Sequence, residues 1–397
     1  MAQHRHQSSL ETVLDFSPAF LLTPQQRQKA YALLHLFIQD YGLGQSVQRG
    51  YKPAKLIEEM SKRVTSTDTF LRFLFLYIYE ILNADGEAGD TDMGSVLSYL
   101  ESFAGNRSMD PSRRMHIKGA LENFAEYIVD NFLLPLRASS VKTPQITPTA
   151  LSLSQTPTQV GTKQRISILR KACLVRDHHR CVISRKFDIV EARKRFQENG
   201  DNSKDDDGNL LSNESRGGFQ HLEVAHILPH SLTTLAQGES ELSESKMNVF
   251  RILDMFDPGL SHRLDGPNID SSVNALTLTL DYHRLFGEFQ IYFEPTGRPL
   301  EYKIDSLENS PFLRDPLFPV TRTLTLSPNL TIDPPDPRLL RVHSAIAHIM
   351  KLSGAGDYIE RVLRDMQEVD VQADGSTNLG YMMGLRLNGW LNTLSVF

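Results

Sequence analysis

The 397-residue chain is too long for one ordinary core and too short for more than about three domains. Hydrophobic residues at 40% and charged residues at 23% are the mix of a globular protein. A net charge of −6 excludes a polycation that coats nucleic acid along its whole length, so any such binding needs a local basic face.

Helical periodicity dominates the first part, residues 1–137. Its opening residues, MAQHRHQSSLETVLDF, have no uninterrupted apolar core, and no signal peptide is expected. Pro24 opens a helix in which Ala30, Leu33, Leu34 and Phe37 share a face and Gly42 supplies the stop. Further helices are expected over about 53–63, 68–83, 92–104 and 111–134. In the last, Ile117, Leu121, Phe124, Ile128 and Phe132 line one side. The apolar run TFLRFLFLYIYEIL (69–82) contains Arg72 and Glu80 and is shorter than the ~20 residues of a membrane span, so it is expected as a buried helix.

Residues 138–163 are rich in Ser, Thr and Pro and lack an amphipathic period, the composition of a linker. The next segment, 164–305, begins with helix-like ISILRKACLVRD and carries an acidic insertion, GDNSKDDDGN (200–209), expected as a solvated loop. From 306 to 397 a turn at DPPDPR (333–338) precedes helices at about 338–353 and 356–369, and the tail holds Trp390. Two cysteines, Cys173 and Cys181, are too few for a disulfide framework or a four-thiolate zinc site, and point to a reducing, intracellular compartment. Cys181 is expected as a core thiol. No membrane association is expected, and nuclear and cytoplasmic residence both stay open.

The central segment concentrates the chemistry. In FQHLEVAHILPHS (219–231) the alternation of Leu222, Val224 and His226 fits a short strand ending near Pro229, with His226 at its end. An imidazole there titrates near neutrality and can take a proton from water. In NIDSSVNALTLTLDYHRLFGEFQIYF (268–293), Leu276, Leu278 and Leu280 alternate as a strand. Asp281 is placed to cap a short helix carrying His283, and FQIYF alternates again. Strand, loop with Asn274, strand and helix form a ββα unit, the folding that brings residues 226, 274 and 283 together. The fold class expected is therefore α+β, a central ββα domain between N-terminal and C-terminal helical regions.

HRCVIS (179–184), VAHILPHSL (224–232) and VNALTLTLDYHRLFGEF (273–289) together resemble the HNH endonuclease domain, in the variant found in many fungal proteins. The resemblance implies a divalent-metal-dependent nuclease. His226 corresponds to the general base, Asn274 to the residue that positions the base or contacts the metal, and His283 to the metal ligand. Mg²⁺ is the expected ion, with Mn²⁺, Zn²⁺ or Ni²⁺ compatible with an imidazole ligand. Many such domains place a metal-binding residue immediately before the base histidine; Ala225 stands there, and Glu223 or Asp281 is left to assist. The alternative is a catalytically weakened HNH fold that binds nucleic acid or protein. His230 either touches a phosphate or closes its loop. Roughly eleven Lys or Arg against three acids between Lys163 and Phe196 suggest a phosphate-contacting face including Arg176, Arg180, Arg185 and Lys186, with DNA the expected partner.

Overall fold

The computed structural model describes residues 21–83, 92–104, 111–140, 157–235, 241–327, 329–367, 384 and 390. Helices come first: α1 (Pro24–Tyr41), α2 (Pro53–Arg63), α3 (Thr67–Leu82), α4 (Met93–Ala104), α5 (Pro111–Ile128) and α6 (Leu134–Ser140), the last two joined by a π-turn, Val129–Leu133. Then follow α7 (Pro157–Arg176), β1 (Phe187–Asp188), α8 (Ile189–Asn199), β2 (Phe219–Gln220), β3 (Leu222–His226), α9 (Glu244–Phe256) and α10 (Leu260–Leu264). The chain continues through β4 (Ala275–Thr279), α11 (Leu280–Gly287), β5 (Ile291–Pro295), β6 (Glu301–Ser306) and β7 (Val320–Thr323). It ends in α12 (Pro337–Ser353) and α13 (Ala355–Gln367). The fold is mixed helix and sheet, as the α+β expectation requires. Of the expected linker, residues 141–156 lie outside the described residues, and from Pro157 onward the backbone is helical.

Two compact units divide the chain. The first groups Met1–Pro135 with Glu241–Ser261 and His348–Asn388. Its first helix starts where a capping box closes: Thr23 accepts from the Gln26 N–H and the Gln26 side chain accepts from the Thr23 N–H. It stops at Gly42, whose φ of 91° is open to a residue without Cβ. The apolar run of α3 is a buried helix, with Phe70, Phe73, Phe75 and Ile78 fully enclosed. Phe73 meets Phe124 of α5 edge-on at 5.1 Å, and α9 brings Phe256 to stack on Phe132 at 5.8 Å.

The second unit holds Leu136–Ser240, His262–Ala347 and Gly389–Phe397. Its centre is an antiparallel pair in which Leu222 of β3 faces Thr279 of β4 and His226 faces Ala275. On this pair α7 lays Leu169 and Cys173, which bury with Val224 and Ala275. Burial pushes the Cys173 thiol up to about 12 and Cys181 is likewise enclosed, so both cysteines are core residues. Beyond α11, β5, β6 and β7 form a separate antiparallel sheet.

Two local expectations are corrected. Thr279, not Asp281, caps α11: its side chain accepts from the Tyr282 N–H, because β4 runs into the helix without a loop. Asp281 falls in the first turn instead, where a carboxylate favours the positive end of the helix. The acidic insertion is not simply a solvated loop either. Asp205 is buried and pairs with Arg180, and Asp206 pairs with His179 and Arg195.

Candidate active site

The site grows from the end of β3. His226 is the last residue of that strand, and the chain then turns through Ile227 and Leu228 into the short 3-10 segment His230–Thr233. Asn274, at the end of the 3-10 turn that feeds β4, is wholly buried. Its Oδ1 accepts from the Leu228 N–H at 2.9 Å, and its Nδ2 donates to the carbonyls of Leu228 and Ile269, each at 3.0 Å. One amide thus ties the loop after His226 to the turn that ends in Asp270.

That tie brings together three side chains far apart in sequence. His226 Nε2 lies 3.1 Å and His230 Nδ1 2.7 Å from the same oxygen, Asp270 Oδ1. Arg165 Nε of α7 reaches the other oxygen, Oδ2, at 3.1 Å. Burial works to raise the Asp270 pKa. The hydrogen bonds from His226 and His230 outweigh it, so the carboxyl is held far below the usual carboxylate range. An ionised carboxylate only accepts, so both imidazoles must present N–H to it. In neutral His226 the lone pair is then on Nδ1, and that atom is buried with no hydrogen-bond partner among the described residues. Burial also pushes the His226 pKa below its ordinary value; the Asp270 bond opposes this, while His230 and His283 reinforce it. His226 is therefore neutral at neutral pH.

His283 stands on α11, which packs against β3. Its Nδ1 donates to Glu223 Oε2 at 2.6 Å, leaving the lone pair of the neutral ring on Nε2. Ala225 is enclosed opposite Leu276. A carboxylate does stand beside His226, that of Asp270, a residue not anticipated from the sequence. Its only local signal is an acid four residues before the central asparagine.

The four basic residues expected at phosphates are placed differently. Arg176 is fully buried, with Nε and Nη2 on the Asp177 carboxylate at 2.8 Å each. It also donates to the carbonyls of Ser272 and Ala275, either side of the Val273–Asn274 turn, so it braces Asn274 and has no surface to offer a phosphate. Arg180 lies over the Phe187 ring and pairs with Asp205 and Glu214. Arg185 donates to the Thr323 carbonyl, and burial with the neighbouring Arg322 lowers its pKa. Lys186 is half-buried.

Comparison with known families matches residues 181–294 to one described as HNH endonuclease. The chain carries an HNH endonuclease domain. Glu223, His226, His230, Asp270, Asn274 and His283 all lie inside the matched stretch, while Arg165 and Arg176 precede it. No curated protein and no solved structure matches the chain. An HNH domain implies nucleic acid as partner and a divalent cation as cofactor. The donor chemistry here fits such an ion: nitrogen atoms of His226 and His230 and an oxygen of Asp270 lie within 4.8 Å of one another. Among the described residues no helix is long and apolar enough to cross a membrane.

Proposed function

We propose that this HNH domain hydrolyses phosphodiester bonds of nucleic acid, DNA foremost, with His226 as general base. The observation that carries the reading is the Asp270–His226 pair, whose other ring nitrogen, Nδ1, is buried and has no hydrogen-bond partner among the described residues. A lone pair held in that state is an acceptor waiting for a proton donor, since leaving it unpaired costs free energy. Water placed at Nδ1 gives up its proton there as its oxygen attacks phosphorus, and the bond to the leaving sugar oxygen breaks. Asp270, still ionised, holds the ring in this tautomer and stabilises the imidazolium. Asn274 positions the base by fixing the loop after it.

His283, backed by the Glu223 carboxylate, is the imidazole suited to hold the divalent cation, because a carboxylate on the far nitrogen orients a ligating ring and raises its basicity. Bound there, Mg²⁺ or a related ion supplies neutralisation of the charge that builds on the phosphate and its leaving oxygen. A carboxylate beside His226 weakens the case, founded on Ala225, for a fold that binds without cutting.

Relaxation of supercoiled plasmid by the full chain, with EDTA or with Mg²⁺, Mn²⁺, Ni²⁺ or Zn²⁺, tests the assignment. Cation-dependent nicking is expected, lost by at least 10²-fold in a His226→Ala protein that still unfolds cooperatively. Cutting by that variant at the wild-type rate removes His226 as base.

The convergence of His226, His230 and Asp270 favours a second reading in which that trio holds the cation. Calorimetric titration with Mn²⁺ separates the two. Loss of binding in His283→Ala with retention in His230→Ala supports the first reading, and the reverse supports the second.

A further inference from the structure

Helix α8 (Ile189–Asn199) has 11 residues, none of them buried. A helix of that length is marginal in water by itself, so its surroundings must hold it. Asp188 caps its start, accepting from the Val190 N–H. One side is tied down through Arg195, which lies over the Phe187 ring and donates to Glu191. The same guanidinium reaches into the acidic insertion, to the Lys204 carbonyl and to Asp206, each at 2.8 Å.

The opposite side is open. Val190, Arg193, Lys194 and Gln197 share that face by helical spacing, and it carries no acid. Val190 keeps 53% of its surface and the Lys194 side chain 62%. Arg193 and Gln197 are exposed, and among the described residues their side chains make no hydrogen bond or ion pair. Lys194 approaches Glu191 at 3.7 Å, beyond hydrogen-bond reach. At about 100° per residue, Val190 and Gln197 run along the crest of the helix, and the two cations flank that crest on either side.

This layout matches the major groove of B-DNA, which admits an α-helix. Flanking cations meet the phosphates of the two groove walls. The crest meets base edges, where a glutamine amide pairs with adenine and an apolar side chain packs on the thymine methyl. The position of the helix agrees with that use. Asp188 of β1 pairs with Gln220 of β2, which lies six residues before His226 in the chain. The start of α8 is therefore within ~25 Å of the base, less than one turn of a duplex. Arg176, Arg180 and Arg195 are spent on partners inside the domain, and Arg193 and Lys194 are cations that the basic stretch turns outward.

We infer that α8 is the DNA-docking helix of this domain, laid in the major groove with Arg193 and Lys194 on opposite phosphate walls. This rests on the reading of the domain as one that acts on nucleic acid, and it adds the groove and the residues that hold the duplex.

Anisotropy titration of a labelled random-sequence DNA duplex with the full chain in EDTA, over a range of salt, tests it. In the Arg193→Gln/Lys194→Gln double variant the slope of log Kobs against log salt is expected to flatten by about 1.8, two phosphate contacts. Affinity at moderate salt falls about tenfold. The melting temperature stays at the wild-type value, because both side chains stand in solvent. An RNA duplex of the same sequence should show neither change, since its deep, narrow major groove does not admit the helix. A double variant with wild-type slope and affinity on DNA overturns the inference, and loss of self-association in its place gives the face to a second copy of the chain. An equal loss on RNA also overturns it, as the mark of cations that meet phosphates outside the groove. Should the wild type neither bind nor cut any duplex, the nuclease reading falls and α8 with it. A wild type that binds and cuts, matched by the double variant, sinks α8 alone.

Discussion

Asn274 shows how one side chain sets a site that it does not itself supply with chemistry. Both of its amide donors and its carbonyl are spent on the main chain of Leu228 and Ile269. Asn274→Ala leaves one buried N–H and two carbonyls without that partner, and a loss of about 2–4 kcal/mol is expected. Urea denaturation measures it. Cleavage should fall together with the urea midpoint; an Asn274→Ala protein of wild-type stability contradicts the account. At this scale the sequence was partly legible. His226, Asn274 and His283 sit in strand and helix contexts that alternation and capping signals reveal. Asp270 does not, because an acid in GPNID is an ordinary turn residue until a buried amide 4 residues on draws its turn against the loop after His226. Arg176 misled for the same reason. Nothing local distinguishes Arg176, buried on Asp177, from an arginine facing water.

Among elements, the β3–β4–α11 unit was readable from period-2 alternation giving way to helical spacing. The element that steadies it was expected as a helix, but nothing in the sequence set it against α11. His343 of α12 lies between Phe286 of α11, 3.9 Å away and nearly parallel, and Phe289, at 4.5 Å. Its Nε2 donates to the Phe286 carbonyl at 3.0 Å, clamping the C-terminal turn of the helix that carries His283. Burial depresses the His343 pKa to about 3. The unfolded chain, with a histidine near 6.5, takes up this proton first as pH falls. The folded state therefore loses stability between pH ~6.5 and ~3, at up to about 1.4 kcal/mol per unit, and loses nothing on this account above pH ~6.5. His226 adds to the same trend, since its pKa is also lowered. His343→Phe keeps the ring stack and removes one titrating group. Urea midpoints at pH 7 and pH 4.5 should lie closer together in that variant than in the wild type, and an unchanged difference refutes the clamp's pH role.

Across the whole molecule, composition marks contiguous blocks while packing interleaves them. Residues Glu241–Ser261 are inserted between β3 and β4 yet group with the helical first unit. The stripe of Val249, Ile252, Leu253 and Phe256 in α9 fits any core, so no signal in the sequence says which it fills. Charge behaves similarly. The basic stretch before Phe196 invites a phosphate surface, but the acidic insertion answers much of it from within the chain. His178 pairs with Asp207, Arg180 with Asp205 and Glu214, and Asp206 with both His179 and Arg195. Burial works to raise the Asp206 pKa, but those two partners bring it down to about 2, so it stays ionised under any working condition. Internal neutralisation of this kind should hold down sequence-independent binding, which depends on cations free to displace counterions. Asp206→Asn removes one anion and loosens Arg195 and His179 together. Its affinity for a random duplex at moderate salt should rise several-fold, and the salt slope should steepen by about 0.9 if Arg195 takes up a phosphate. Anisotropy titrations at three salt concentrations read both quantities. If Asp206→Asn binds as the wild type does, the insertion is a structural clasp, and the cations it pairs with take no part in holding nucleic acid.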